Sequence, residues 1–142
     1  MRLLILLLAG LFSGKIFRTA NAEGLTGEHD SSCSRLSSAA ITVRHLLYKQ
    51  GADADHIAVC TATTDTPLGT VADEPTSAEV PVTLRLIGRG PTKRMVASAA
   101  IAAGVPVFLA ANGQIASSGT VKVGESLTAA AALNDVIEVN DR

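Results

Sequence analysis

The stretch VPVFLAANGQIA, residues 105–116, sets an Asn-Gly pair between two apolar runs. Asn112 and Gly113 both tolerate the positive φ angles of a tight turn, so this stretch predicts a β-hairpin. Upstream, residues 80–87 alternate and place four aliphatic side chains on one face: Val80, Val82, Leu84 and Leu86. A period of two is typical of a half-buried strand. Pro81 predicts that this strand begins there or lies at a sheet edge, because proline has no amide hydrogen.

The same kind of pattern continues in both directions from these two segments. Short runs rich in β-branched residues alternate with turn residues, which predicts a mainly β domain, a small barrel or sandwich with at most one or two short helices. Further strands are predicted at residues 41–49, 56–62, 68–71, 93–98, 121–123 and 136–140. The alanine-rich stretch 124–133 fits a bulged strand or one helical turn, and we favour the strand. Residues 99–104 fit a loop or a short helical turn.

The first 22 residues have the layout of a secretory signal peptide. A basic start precedes an apolar run at residues 3–12, and residues 20–22 form an A-x-A pattern. The run is too short to cross a bilayer as a helix. Lys15 and Arg18 lie before the proposed cut, where positive charge disfavours export. The alternative is therefore a wrongly assigned translation start, and both interpretations exclude residues 1–22 from the fold.

The remaining chain divides into two parts. Residues 23–39 are polar and rich in Gly and Ser, and they are predicted to form a flexible N-terminal arm that a partner orders. Residues 40–142 are predicted to form the β-rich domain. The chain has 142 residues, which suits one such domain.

Composition limits the core and the partners. Aromatic residues make up 3% of the chain, so Val, Ile, Leu and Ala must fill the core. We expect a domain of modest stability that gains from oligomerisation. Without residues 1–22 the chain carries 9 basic and 13 acidic residues. This balance argues against nucleic-acid binding, which needs clustered positive charge. The densest basic group fits a solvated strand end or a subunit contact: Arg85, Arg89, Lys93 and Arg94.

The two cysteines leave two possibilities open. In an exported protein Cys33 and Cys60 could form a disulfide bond. In the cytoplasm Cys60, at the end of the apolar run 57–60, fits a small buried hydrophobic residue. Their spacing is not that of a zinc site.

The histidines supply the candidate sites. His29 lies in the predicted arm, and His45 is predicted to face inward from a strand that also contains Val43 and Leu47. One cluster resembles a metal site in its residue types: Asp53, Asp55 and His56. The twelve-residue calcium loop with its late glutamate is absent. We interpret the cluster as a turn in which the two aspartates bond their own backbone.

The templates of catalysis fail along the chain. There is no G-x-S-x-G nucleophile motif. Asp73 and Glu74 are interpreted as solvated loop acids. Residues 88–93, GRGPTK, connect two predicted strands and open no helix, so the loop lacks the helix N-terminus that binds phosphate. We therefore predict no enzyme, no catalytic, cofactor-binding or metal-binding residue, and no cofactor.

From Glu28 to Val139 the chain resembles the head decoration, or capsid cement, proteins of tailed phages, which are encoded beside the major capsid protein. The resembling stretches are residues 28–30, 39–47, 51–59, 67–70, 73–74, 81–84, 95–104, 110–115, 123–124, 129–131 and 135–139. The N-terminal segment departs from this pattern, since a head protein is not expected to carry a signal peptide.

The resemblance implies a compact β domain on the outside of a capsid. Its partner would be the major capsid protein, whose subunit contacts it would stabilise, and it would form a homo-oligomer, often a trimer. It implies a virion protein that binds neither nucleic acid nor, as a mature domain, membrane. The alternative is an exported β domain that acts as a periplasmic or surface binding module, secreted or periplasmic if residues 1–22 are a true signal peptide.

Overall fold

A computed structural model of the chain describes residues 31–90 and 92–141. Over these residues the protein is mainly β, as the sequence predicts. The strands are β1 (Ser32–Ser37), β2 (Leu47–Gln50), β3 (His56–Val59), β4 (Gly69–Val71), β5 (Pro81–Leu86), β6 (Lys93–Val96), β7 (Pro106–Leu109), β8 (Ile115–Ala116), β9 (Lys122–Ser126) and β10 (Val136–Asn140). A short 3₁₀ segment, Ala111–Gly113, lies between β7 and β8.

The first five strands form a closed barrel in the order β1-β3-β2-β4-β5, which closes because β1 also pairs with β5. β1 and β3 are parallel, and the other pairs are antiparallel. Val82 and Leu84 of β5 point into the barrel core, while Pro81, Thr83 and Arg85 are exposed. The predicted alternation of this strand, and its start at Pro81, are confirmed.

The last five strands form a second sheet in the order β6-β10-β9-β7-β8. β10 spans the predicted residues 136–140, and a parallel bridge from Ala97 to Ile115 links the end of β6 to β8. The core of this sheet is aliphatic apart from one methionine and one cysteine, as the low aromatic content predicts; it includes Met95, Val107, Leu109, Ile115, Ile137 and Val139.

Strand β2 joins the two cores. Tyr48 packs in the barrel core, whereas its neighbour Leu47 packs in the core of the second sheet. Successive side chains of a strand point to opposite faces, so one strand serves both layers. The Asn-Gly hairpin tip meets this strand, since a Cβ on Gly113 would lie 2.7 Å from the Leu47 carbonyl oxygen. Asn112 and Gly113 have φ values of 60° and 71°, so the predicted hairpin is confirmed.

The predicted arm at residues 23–39 is wrong for its second half. Residues 32–37 form β1, a strand of the barrel wall that lies between β3 and β5 and pairs with both. The polar serines of this segment alternate with Cys33, which packs against the barrel core. The predicted domain boundary at residue 40 is therefore wrong as well. Residues 1–22 and 23–30 lie outside the described residues.

Several predicted strands are shorter than expected, and those predicted at residues 56–62 and 93–98 end at Val59 and Val96. In place of a strand over 41–49, only Leu47–Gln50 is extended, because the backbone turns at His45, which has a φ of 65°. The Ile41 and His45 amides bond the Pro75 and Val71 carbonyls instead of a strand ladder. In the stretch 124–133, the strand favoured by the sequence continues only through Ser126.

Candidate functional site

The Asp53–His56 turn contains the cluster of titratable side chains that resembles a metal site in the sequence. The Asp53 carboxylate accepts hydrogen bonds from the Asp55 and His56 amides, at 3.0 and 3.1 Å. The predicted self-bonded turn is thus confirmed for Asp53. The same carboxylate oxygen lies 2.6 Å from His56 Nδ1. Gln50 closes the turn, since its side-chain amide donates to the Asp53 and His56 carbonyls.

A second carboxylate, Glu79, lies on the other side of the His56 ring. The Glu79 Oε2 atom is 2.9 Å from His56 Nε2. The backbone of Glu79 has a positive φ, and its amide N–H donates a hydrogen bond to the Ser37 carbonyl. The hydrogen bonds to Asp53 and Glu79 raise the pKa of His56 to about 9. Both ring nitrogens are occupied, so the imidazolium links β3 to the turn before β5 and has no lone pair for catalysis.

His45 lies apart from this group. It is half-buried at the turn before β2, so the prediction that it faces inward from a strand is wrong. Burial lowers its pKa, and the positive charges of Arg94, Arg85 and Arg44 lower it further, against an opposing effect of Glu74. His45 therefore lies in a positively charged region that disfavours its protonation.

The cysteines belong to different cores. Cys60 is fully buried in the core of the second sheet, and burial raises its thiol pKa to about 11. The interpretation of Cys60 as a small buried hydrophobic residue is confirmed. Cys33 packs against the barrel core, and both thiols are free. The disulfide considered for an exported protein is not formed.

The loop acids are more engaged than the sequence indicates. Asp73 accepts a hydrogen bond of 2.8 Å from the Thr83 amide, and Glu74 forms a 2.8 Å ion pair with Arg44. Both residues are exposed, as their interpretation as solvated loop acids predicts, and each also has a protein partner.

A buried ion pair was missed by the sequence analysis. Lys93 Nζ lies 2.9 Å from Asp141 Oδ2, and the two side chains are 3% and 1% exposed. Asp141 also accepts a bond from the Gly88 amide, and Lys93 donates to the Arg89 carbonyl. The alternation of strand side chains could have indicated this pair. Lys93 lies two residues from buried Met95, and Asp141 lies two residues from buried Val139, so each charged side chain points to a buried face.

The described surface has pockets, among them one in the barrel half of the molecule and one beside β5. The first, of about 210 Å³, is mostly apolar and is lined by residues of the 37–43 segment together with Leu46, Tyr48, Ile57, Ala58 and Val59. The second, of about 620 Å³, is lined by Ser31, Ser32, Thr83, Arg85, Gly90, Thr92 and Lys93. Neither pocket contains a histidine, cysteine or carboxylate among these lining residues.

Over residues 31–90 and 92–141, no three His, Cys, Asp or Glu side chains are arranged to hold a metal ion. In the same residues there is no helix with the length and hydropathy needed to cross a membrane. Comparison with protein families gives no matching family model, and no curated protein sequence matches the chain.

Proposed function

We propose that this chain is a structural protein that binds the outside of a phage capsid and stabilises contacts between major capsid subunits. The resemblance from Glu28 to Val139 motivates this proposal, and a small mainly β domain is compatible with it. In the described residues the polar side chains serve local turns and ion pairs, which leaves surface contact as the chemistry best supported.

The observation that carries the proposal is the position of the exposed apolar side chains. The described residues have four large hydrophobic side chains that are at least 44% exposed, and three of them fall within residues 127–136: Leu127, Leu133 and Val136. The Leu127 amide bonds the Glu138 carbonyl, so Leu127 continues the β9–β10 ladder. Opposed residues share a face, and Val136 lies two residues from Glu138, so Leu127 and Val136 project from the same face.

We call Leu127 and Val136, together with the exposed Leu133 of the loop before β10, the apolar face. Full burial of a leucine or valine side chain contributes about 1.5–3 kcal/mol. Covering the exposed half of one such side chain would therefore contribute about 1 kcal/mol. One such contact is weak. A shell presents many identical sites, and an oligomer that engages several of them at once gains avidity from the raised effective concentration.

The test is binding to capsids assembled without this chain from the major capsid protein of the same genome. The full chain is mixed with these heads, and co-sedimentation and thermal disruption are measured. We expect saturable binding and a higher disruption temperature. Absence of association at any salt concentration would defeat the proposal.

The variant Leu133→Glu tests whether the apolar face makes the contact. It should weaken head binding and leave the free energy of unfolding nearly unchanged, because Leu133 is 58% exposed. Val43→Glu is the matched control, since Val43 is also an exposed aliphatic residue but lies outside the apolar face. Equal loss of binding in both variants would place the contact elsewhere.

The resemblance also suggests a homo-oligomer, and we propose a trimer. Light scattering across a concentration series should give a mass three times that of the monomer. A monomer at every concentration would contradict this part of the proposal without touching the capsid contact.

A further inference from the structure

The connection from β5 to β6 carries positive charge that the rest of the described domain does not neutralise. Residues 80–124 contain no aspartate or glutamate. Within residues 31–90 and 92–141, four lysine and arginine side chains form ion pairs with carboxylates: Arg44, Lys49, Lys93 and Lys122. Arg85 of β5, Arg89 of the connection and Arg94 of β6 form no ion pair with a carboxylate of these residues. Arg94 lies opposite Glu138 in the β6–β10 register without forming an ion pair.

Arg85 lies at a pocket whose other lining groups are hydrogen-bond donors. The pocket of about 620 Å³ places Arg85 with the hydroxyl groups of Ser31, Ser32, Thr83 and Thr92. The antiparallel register of β1 and β5 sets Ser32 directly opposite Arg85. A guanidinium presents a planar fork of N–H groups that matches an oxyanion, and neighbouring hydroxyls add further donors.

The charges around the pocket favour an anion with one negative charge. Lys93 also lines the pocket, but its charge is balanced by Asp141 at 2.9 Å. Among the lining residues Arg85 therefore supplies the one charge without a counter-ion. One carboxylate would neutralise this charge, and a doubly charged phosphate would exceed it.

We propose that this pocket binds a single carboxylate group, presented by an aspartate or glutamate side chain of the protein partner, with Arg85 as the main donor. Ser32, opposite Arg85 on β1, and Thr83, two residues before Arg85 on β5, donate from their hydroxyl groups. The inference rests on the proposed function only for the identity of the partner. The carboxylate site itself stands on the geometry of the pocket.

The site is tested with a capped glutamate, N-acetyl-glutamate N′-methylamide, titrated into the isotopically labelled full chain. Amide chemical shifts are followed by NMR. We expect saturable shifts at Ser32, Thr83 and Arg85, and none with the corresponding capped glutamine. Equal shifts with the capped glutamine, or tighter binding of inorganic phosphate than of the capped glutamate, would overturn the assignment.

Variants of Arg85 show whether the guanidinium is the donor. Arg85→Gln should weaken binding of the capped glutamate at least about tenfold, as expected for loss of hydrogen bonds to a charged group. Arg35→Gln is the matched control. Arg35 also lacks an ion pair within the described residues, and it donates to the Ser34 carbonyl outside the pocket lining. Unchanged affinity of Arg85→Gln, or equal losses in the two variants, would refute the role of Arg85.

A second substitution covers the case in which Arg85→Gln disturbs the fold. Arg85→Lys keeps the positive charge and loses the bidentate fork, so its affinity should lie between those of the wild type and Arg85→Gln. If Arg85→Gln gives a non-native amide spectrum, weaker binding by Arg85→Lys supports the site and unchanged binding by Arg85→Lys overturns it.

Head binding separates this inference from the proposed function. Arg85→Gln should bind the assembled heads more weakly than Arg35→Gln does, and the difference should shrink at high salt, where exposed charges are screened. Normal head binding by Arg85→Gln would remove the partner carboxylate while the capsid proposal stands. If the wild-type chain does not bind heads, the capsid proposal fails and the capped-glutamate titration alone decides the site.

Discussion

Replacing Lys93 by methionine would leave the Asp141 carboxylate buried without its counter-ion. The two side chains are 3% and 1% exposed, and their charged atoms are 2.9 Å apart. Methionine keeps most of the aliphatic stem, so the main change is the loss of the ammonium group. That group also donates a 2.7 Å hydrogen bond to the Arg89 carbonyl.

The expected loss in the free energy of unfolding is about 3–5 kcal/mol, the usual cost of removing one partner from a buried ion pair. A domain of this size has a total stability of about 5–15 kcal/mol, so the loss would be a large share of it. The double variant Lys93→Met with Asp141→Asn should recover more than half of the loss. Asparagine carries no charge and still offers an oxygen to the Gly88 amide, which bonds Asp141 at 3.0 Å in the wild type.

Urea unfolding followed by far-UV circular dichroism measures these differences. Lys122→Met is the matched control, because the Lys122–Glu125 pair is 3.5 Å apart and both side chains are more than half exposed. Its loss should stay below about 1 kcal/mol. If Lys93→Met costs no more than Lys122→Met, or if the double variant is as unstable as the single one, the burial argument is wrong.

Three further predictions follow from the turns and the titratable groups. Gly113→Ala should destabilise the domain by about 2–4 kcal/mol, because residue 113 has a positive φ and an added Cβ would contact Leu47 and Val59. Gly104→Ala should cost only about 1–2 kcal/mol, because residue 104 also has a positive φ but has open space around it. Equal urea midpoints of the two variants would contradict this prediction. Native Cys60 should react with a thiol reagent far more slowly than Cys33 at pH 8, since the pKa of Cys60 is raised to about 11. Protein denatured without reductant should show two reactive thiols, and fewer than two would reveal a disulfide. His56 should titrate near pH 9 by NMR. Because its folded pKa exceeds the unfolded value of 6.5, the stabilisation from His56 is complete below pH 6.5 and is lost as the pH rises toward 9. Glu79→Gln should lower the titration midpoint of His56, and an unshifted midpoint would show that Glu79 does not hold the ring.

The parts of the fold that local chemistry determines were predictable from the sequence. The Asn-Gly tip at residues 112–113 and the alternation of β5 follow from turn geometry and a period of two, and both are present. The same holds for β10, whose bounds match the prediction. In these segments the pattern of buried and exposed side chains agrees with the local backbone preference, so no long-range information is needed.

The parts that depend on distant partners were not predictable. β1 is rich in serine and looks like a loop, yet the barrel makes it a strand because β3 and β5 supply its hydrogen-bond partners. His45 interrupts an apparently continuous strand, since its φ is 65° and its amide bonds the Val71 carbonyl of β4. The sequence analysis likewise identified the basic group around Arg85 but not its pocket, which needs Ser32 from another strand.

The central claim is that this domain acts through surface contact as a component of a phage head. Quantitative mass spectrometry of purified particles produced by the genome that encodes it tests that claim most directly. We expect peptides from residues 31–141 at a copy number of the same order as that of the major capsid protein. Particles that lack the chain, with the protein recovered instead from the periplasm or the medium, would contradict it and favour an exported binding module.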